Sequence, residues 1–352
     1  MRKIKEKINK IESIKQSYLD KAQKHLDILT KPLGSLGRLE ELVKQIVGIT
    51  ENEAPIINKK VIFTLAADHG VTEEGVSAYP SEVTAQMVAN FLNKGAAINV
   101  LADSCAAKVV VADLGVKAAI PGDTTQLVKN PVAKGTQNMT KGPAMTKDEA
   151  IQSIETGIAL FEKANKHGLD LVGIGEMGIG NTTASSAITV VLTGANVDKV
   201  TGRGTGINDV TLKNKQATIT KAIKVNNPKA DDPMDVLAKV GGFEIGGMCG
   251  IILAAAAARV PVVIDGFISG ASALLAYSLA PQVKDYIIAS HCSVECGHRF
   301  ILEHMALKPI LDLNLCLGEG TGAALAMPII ESSLNILNNM ATFESAGVSK
   351  EK

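Results

Sequence analysis

Two glutamates in this chain sit where carboxylates are rarely placed without a reason. Glu319 lies in Leu317-Gly318-Glu319-Gly320-Thr321-Gly322, and Glu176 in Gly173-Ile174-Gly175-Glu176-Met177-Gly178-Ile179-Gly180-Asn181. Each is a lone acid enclosed by glycines where a short apolar segment gives way to a helix. Glycine has no Cβ, so the backbone can bend sharply and a ligand can come close. A carboxylate held there suits a general base. The competing reading is a pair of tight strand-to-helix turns whose acids cap helices. One such loop fits that reading well; two are harder to explain by it, because glycine flanks are costly.

Gly173-x-Gly175-x-x-Gly178 also matches the dinucleotide fingerprint, which needs an acid about 20 residues on at the tip of the next strand. Asp198 has the spacing, but residues 193–197 read as a turn, and Glu176 inside the loop would repel a pyrophosphate. A nicotinamide-dinucleotide-dependent oxidoreductase is thus the alternative reading, beside a non-enzymatic nucleotide-binding protein. A monophosphate at the start of the helix opened by Asn181-Thr182-Thr183 fits the motif better, since free N–H groups and the helix dipole favour one anion.

Thr201-Gly202-Arg203-Gly204-Thr205-Gly206 is a second anion candidate, with an Arg203 fork, amide-exposing glycines and Lys213 nearby in sequence; a solvated surface loop is its plain alternative. His291, Cys292, Glu295, Cys296, His298 and His304 resemble a metal cluster, but they fall along one helical stretch and face different ways. Buried thiols and helix-surface histidines describe them better, and no metal is expected. Ser293 contacts a phosphate or caps that helix. Asp68-His69 either anchors its loop or takes part in the site. Neither a Gly-x-Ser-x-Gly elbow nor a Walker loop is found.

Positioning these groups requires a parallel sheet. Short apolar runs rich in β-branched residues end in polar or glycine loops: 61–67 before Asp68, 108–112 before Asp113, 171–175 before Glu176, 262–264 before Asp265, 286–289 before Ser290, and 310–317 before Gly318. Helical stretches such as 81–101 and 183–192 lie between them. Continuous apolar strands alternating with helices mark an α/β fold, whose ligands bind beyond the carboxyl ends of the strands. Apolar residues recur at helical spacing over 4–29 and 38–49, separated by Lys31-Pro32-Leu33-Gly34-Ser35-Leu36-Gly37, and 328–340 is helical again. The expected organisation is a large α/β domain over 56–328 and a small helical domain from both termini, 1–55 with 329–352.

The 352 residues carry 36 basic and 36 acidic side chains, so no net field recruits nucleic acid or an anionic membrane. Tryptophan is absent and aromatics are 3%, against base-stacking platforms. Five scattered cysteines read as free thiols of a reducing cytosol. The start, MRKIKEKINKIESIKQ, lacks the apolar core of a secretory signal, and the uncharged stretch 266–283 reads as a buried helix. A cytoplasmic protein is expected.

The chain resembles the nicotinate-nucleotide–dimethylbenzimidazole phosphoribosyltransferase family over nearly its whole length. The landmarks are KPLGSLGRLE (31–40), AADHGVTEEGVSAYPSEVTAQMV (66–88), GIGEMGIGNTTASSAI (173–188), TGRGTG (201–206), VVIDGFISGASAL (262–274) and LGEGTGAALA (317–326). The resemblance implies a Rossmann-like parallel domain, a small helical domain from both termini, a homodimer, and transfer of phosphoribose from nicotinate mononucleotide to a benzimidazole-type base. It assigns the catalytic base to Glu319 and the second acid to Glu176. Phosphate and ribose contacts fall to Gly178, Asn181, Arg203, Gly204, Lys213 and Ser293, and base contacts to Tyr79, Gln86, Met177 and Leu317. Asp265, at another strand end, is expected to support the acids. No cofactor is required by that chemistry.

Overall fold

The computed structural model describes residues 1–349, so the last three residues of the expected C-terminal segment lie outside the described residues. Six strands form one sheet: β1 (Lys60–Ala67), β2 (Lys108–Gly115), β3 (Val128–Lys129), β4 (Leu171–Met177), β5 (Val262–Ile264) and β6 (Ile287–Ala289). Their order is β3-β2-β1-β4-β5-β6 and every pairing is parallel. This is the doubly wound order, in which the chain reverses direction across the sheet between β1 and β4 and opens a crevice there.

Both faces of the sheet are covered, which is why its strands read as unbroken apolar runs. Side chains alternate along each strand. Phe63, Leu65, Val172, Ile174, Val262 and Ile264 pack on one face against helices Phe243–Ala257 and Phe267–Leu279. Ile62, Ala66, Leu171, Val263 and Ile288 pack on the other with helix Thr321–Asn339. Helix Lys147–Ala164 packs on Phe243–Ala257 so closely that a Cβ at Gly157 would overlap the Gly247 carbonyl. Helix Lys147–Ala164 starts at a capping box in which Thr146 and Glu149 satisfy each other's N–H groups.

Helices Gln16–Ile28 and Arg38–Thr50 pack on each other, and Arg38–Thr50 packs on Thr321–Asn339, so both ends of the chain meet on that second face. Helix Arg2–Ile8 is placed differently: its buried Ile4 joins the core of the first face. The stretch 81–101 forms two helices, Glu82–Leu92 and Ala97–Ser104, broken where Lys94 takes a positive φ of 59° before Gly95. Helix Phe267–Leu279 is buried as expected, and no helix among the described residues is long and apolar enough to cross a membrane.

The run 310–317 is not a strand. Only Leu311 bridges, to His291, while Asp312 and Asn314 interrupt the apolar pattern and Asn314 takes a φ of 55°. The segment lies outside β6 at the sheet edge, largely open to solvent, and its polar residues face water there. The sixth strand is instead the two-residue β3, too short to leave a pattern in the sequence.

Candidate active site

Glu319 is seated at the reversal point between β1 and β4. Thr64 and Gly175 face each other across these strands. The Thr64 hydroxyl donates to the Glu319 carbonyl at 2.8 Å, and Gly175 lies so close that a Cβ there would overlap the Glu319 carbonyl and the Gly320 nitrogen. Gly318, Glu319 and Gly320 have φ of 88°, 64° and 101°, three consecutive left-handed residues of which only the middle one carries a side chain. A non-glycine residue in that region stores strain, a common mark of functional sites.

The Glu319 carboxylate is buried, and its Oε2 accepts the Ile98 N–H at 3.2 Å. Burial raises its pKa above the ordinary value; the Ile98 hydrogen bond opposes this. Glu176 sits at the end of β4 against the same loop: a Cβ at Gly318 would come within 2.5 Å of Glu176 Oε1. Each glutamate therefore occupies space that a glycine beside the other leaves open. Asn181 donates to Glu176 Oε2. In both acids one oxygen is held by the protein, while no protein group among the described residues donates to the other.

Two more buried acids belong to the cluster, one beyond a strand end and one from a helix. Asp265, just past β5, turns toward the start of helix Thr321–Asn339 and accepts from Gly320 N at 2.9 Å and Gly322 N at 2.7 Å. Burial pushes its pKa up to about 7 against those bonds. His291, after β6, lies 3.8 Å from Asp265 and shares a 2.9 Å hydrogen bond with Ser290; burial lowers its pKa to about 4, which leaves it neutral. Glu244, from helix Phe243–Ala257, is fully buried, with Oε1 2.6 Å from His69 Nε2 and Oε2 unpartnered. Glu176 is raised well above the ordinary range, first by burial and then by the charges of Glu244 and Asp265.

Of the anion candidates, Asn181 opens helix Asn181–Thr193, and Gly204 reaches its first turn, where a Cβ would come within 2.8 Å of Thr182 Oγ1. Asn181 spends its side chain on Glu176, and Gly178 packs on the Ala67 carbonyl. Arg203 is half-exposed and bound within its own loop, to Asp209 at 2.5 Å and the Ile207 carbonyl at 2.9 Å. Gly204 donates its N–H to Glu295 at 2.8 Å. Lys213 is exposed on helix Asp209–Asn226, whereas Lys215 is buried, donating to Thr182 Oγ1 at 2.8 Å and the Gly202 carbonyl at 3.3 Å. Burial lowers the Lys215 pKa to about 8, with Glu295 opposing. Ser293 is buried and donates to the Leu315 carbonyl.

Among the base-contact candidates, Met177 is half-buried at the end of β4, and Leu317, Tyr79 and Gln86 are exposed, Leu317 at 59% and Tyr79 at 56%. Asp198 lies in a short helix, Val197–Val200, rather than at a strand tip, so the dinucleotide reading lacks its ribose acid. No group of three or more His, Cys, Asp or Glu among the described residues is arranged to hold a metal ion. Clefts of about 250 and 410 Å³ lie elsewhere, beside Asn58 and beside Arg38, without any of the buried acids.

Sequence reading missed Glu244 and Lys215 and left His69 undecided. For Lys215 a signal existed: Lys215, Thr218, Ile219, Ala222 and Asn226 recur at helical spacing and form the buried side of their helix.

A family model described as phosphoribosyltransferase matches residues 11–348. A Geobacter metallireducens protein named nicotinate-nucleotide–dimethylbenzimidazole phosphoribosyltransferase is 55% identical over 345 residues, 98% of each chain. One of the same name from Geotalea uraniireducens is 55% identical over 350 residues, 99% of each. The crystal structure of CobT from Thermus thermophilus superposes with a TM-score of 0.91 at 43% identity, covering 95% of this chain and 100% of that one. On a family match over residues 11–348 and 55% identity across nearly the full length of each relative, the chain belongs to the nicotinate-nucleotide–dimethylbenzimidazole phosphoribosyltransferase family.

Proposed function

We propose that this protein transfers the phosphoribosyl group of nicotinate mononucleotide to 5,6-dimethylbenzimidazole or a related lower-ligand base. The products are α-ribazole 5′-phosphate and nicotinate, and the step serves assembly of the cobamide (cobalamin) nucleotide loop. The observation that carries this reading is the interlock of Glu176 and Glu319, each with one carboxylate oxygen left for a ligand.

The chemistry follows from charges that move during transfer. The nicotinate ring nitrogen is cationic while bonded to ribose and leaves as a neutral ring without acid catalysis. Positive charge builds on C1′ and the ring oxygen, as in glycoside chemistry. Buried acid oxygens stabilise it. As the free nitrogen of the acceptor attacks C1′, the other nitrogen becomes acidic, and Glu319 removes its proton. Attack opposite the leaving ring converts the β nucleotide into the α product with no covalent enzyme intermediate. A phosphate held at the Asn181 helix start, by Gly178, Arg203, Gly204, Ser293 and Lys215, the inward-turned lysine, would orient the ribose; such positioning lowers barriers by up to about 7–11 kcal/mol. Tyr79, Gln86, Met177 and Leu317 would grip the base without a tryptophan.

Chromatographic assay of nicotinate mononucleotide with dimethylbenzimidazole should show base-dependent release of nicotinate. Binding of both substrates with no nicotinate released would overturn the proposal. We extend it to a cytoplasmic homodimer, which sedimentation of the purified protein would test.

A further inference from the structure

We propose that Glu244, held by His69, is a positioning residue that acts through Glu176: it keeps the proton on Glu176, making that carboxyl a hydrogen-bond donor to substrate and leaving Glu319 as the single base of the pair. The inference deepens the transfer reaction proposed above and rests on it.

Glu176, Glu244, Asp265 and Glu319 are all at most 7% exposed. Among the described residues, the only basic groups within 4 Å of any of the four are the rings of His69 and His291. His291 is neutral, because burial holds it down at about 4. One histidine cannot compensate four buried charges, so at least one carboxyl in the group retains a proton.

Hydrogen-bond donors decide which one. Asp265 receives two backbone N–H groups within 2.9 Å, Glu319 receives one, and Glu244 has the His69 ring at 2.6 Å. Glu176 alone has neither a backbone N–H nor a histidine, only the Asn181 amide. It is faced by Glu244 from helix Phe243–Ala257, by Asp265 beyond β5 and by Glu319 from the loop ahead of helix Thr321–Asn339. The Asn181 amide on Oε2 marks that oxygen as the carbonyl, so the proton sits on Oε1, beside Gly318 and free of any protein acceptor. Burial and the Glu244 charge raise Glu176 in the same sense. Glu176 is in register with Leu65, whose side chain meets helix Phe243–Ala257 at Gly247, whereas the Glu319 loop rests on Gly175, on the opposite face of the sheet. Glu244 can therefore tune one glutamate without the other.

The test is the pH dependence of nicotinate release. With Glu319 needed as carboxylate and Glu176 as acid, kcat/KM rises with pH through Glu319 and falls through Glu176. Glu244→Gln removes a negative charge from beside Glu176, so the descending limb should move to lower pH by about one unit or more while the ascending limb stays in place. A loss of rate with both limbs unmoved would overturn the proposal. Should that variant fail to fold, the wild-type enzyme gives the answer without turnover. At neutral pH its infrared spectrum should show, beside the share that Asp265 contributes, a carboxylic-acid C=O component that Glu176→Gln removes, and no such difference would overturn the assignment. If the band is present and wild type releases no nicotinate, the transfer reading fails and the proton assignment survives.

Discussion

Gly175 and Glu319 touch backbone to backbone, strand floor against loop, with no side chain between them. The contact places the base: Thr64 fixes the Glu319 carbonyl from one strand while Gly175 lets the peptide settle onto the next. Gly175→Ala would drive a methyl into main-chain atoms that cannot rotate away. We expect a cost of about 1–3 kcal/mol in stability, typical of overpacking. Turnover should fall about 10²-fold, because a displacement of about an ångström is enough to spoil a reacting geometry. Thermal melts and nicotinate release measured together check this; a variant with wild-type kcat would show that the contact does not set the position of Glu319.

Glu319→Gln separates chemistry from folding. The amide oxygen can still accept the Ile98 N–H, so the loop keeps its anchor, but no proton can be taken from the acceptor. Turnover should fall about 10²-fold or more. Melting temperature should hold or rise, since a buried acid with a single N–H donor is replaced by a neutral group, the usual trade between function and stability. Near-normal nicotinate release by this variant would remove Glu319 as the base.

The two lead glutamates were legible because glycines on both sides of an acid leave a local trace. The strands were legible because burial on both faces demands unbroken apolar residues, and β1, β4, β5 and β6 appear within a residue or two of their expected limits. The segment 310–317 misled for a related reason: its leucines alternate with Asp312 and Asn314, a pattern that suits a half-exposed edge path as well as a strand. Glu244 left no trace. It lies in the first turn of a nearly apolar helix, where an acid is ordinary, and only the fold brings it to His69, 175 positions away in the chain.

Asp265 should reveal itself in the pH dependence of stability. Its folded pKa, about 7, is raised above an unfolded value near 3.8, so the folded state binds the proton more tightly between them. That contribution is fully present below about pH 4 and is lost as pH rises toward 7. Asp265→Asn cannot titrate. Its melting temperature relative to wild type should climb across that window, by an upper bound of about 4 kcal/mol in stability because neighbouring acids share the titration. The buried His298, which favours folding at higher pH, is common to both proteins and cancels in the difference, while His291, 3.8 Å from Asp265, is one of the neighbours that share the titration. A gap independent of pH would mean that Asp265 ionises at its ordinary value.

Lys213 and Lys215 offer a direct choice of phosphate partner. Lys213 points to solvent, where an ion pair contributes little. Lys215 is 1% exposed, bound to Thr182 at the start of the Asn181 helix, and has no carboxylate within 4 Å among the described residues. A buried ammonium in that position gains most from an arriving phosphate, and a charge-assisted hydrogen bond is worth about 1.5–3 kcal/mol. Lys215→Met should therefore raise KM for nicotinate mononucleotide about 10- to 100-fold, with a smaller effect on kcat. Lys213→Met should change KM by about threefold or less, in line with the small value of exposed pairs. The reverse ranking would put the phosphate on the outer face of helix Asp209–Asn226, away from the glycine loop and the buried acids.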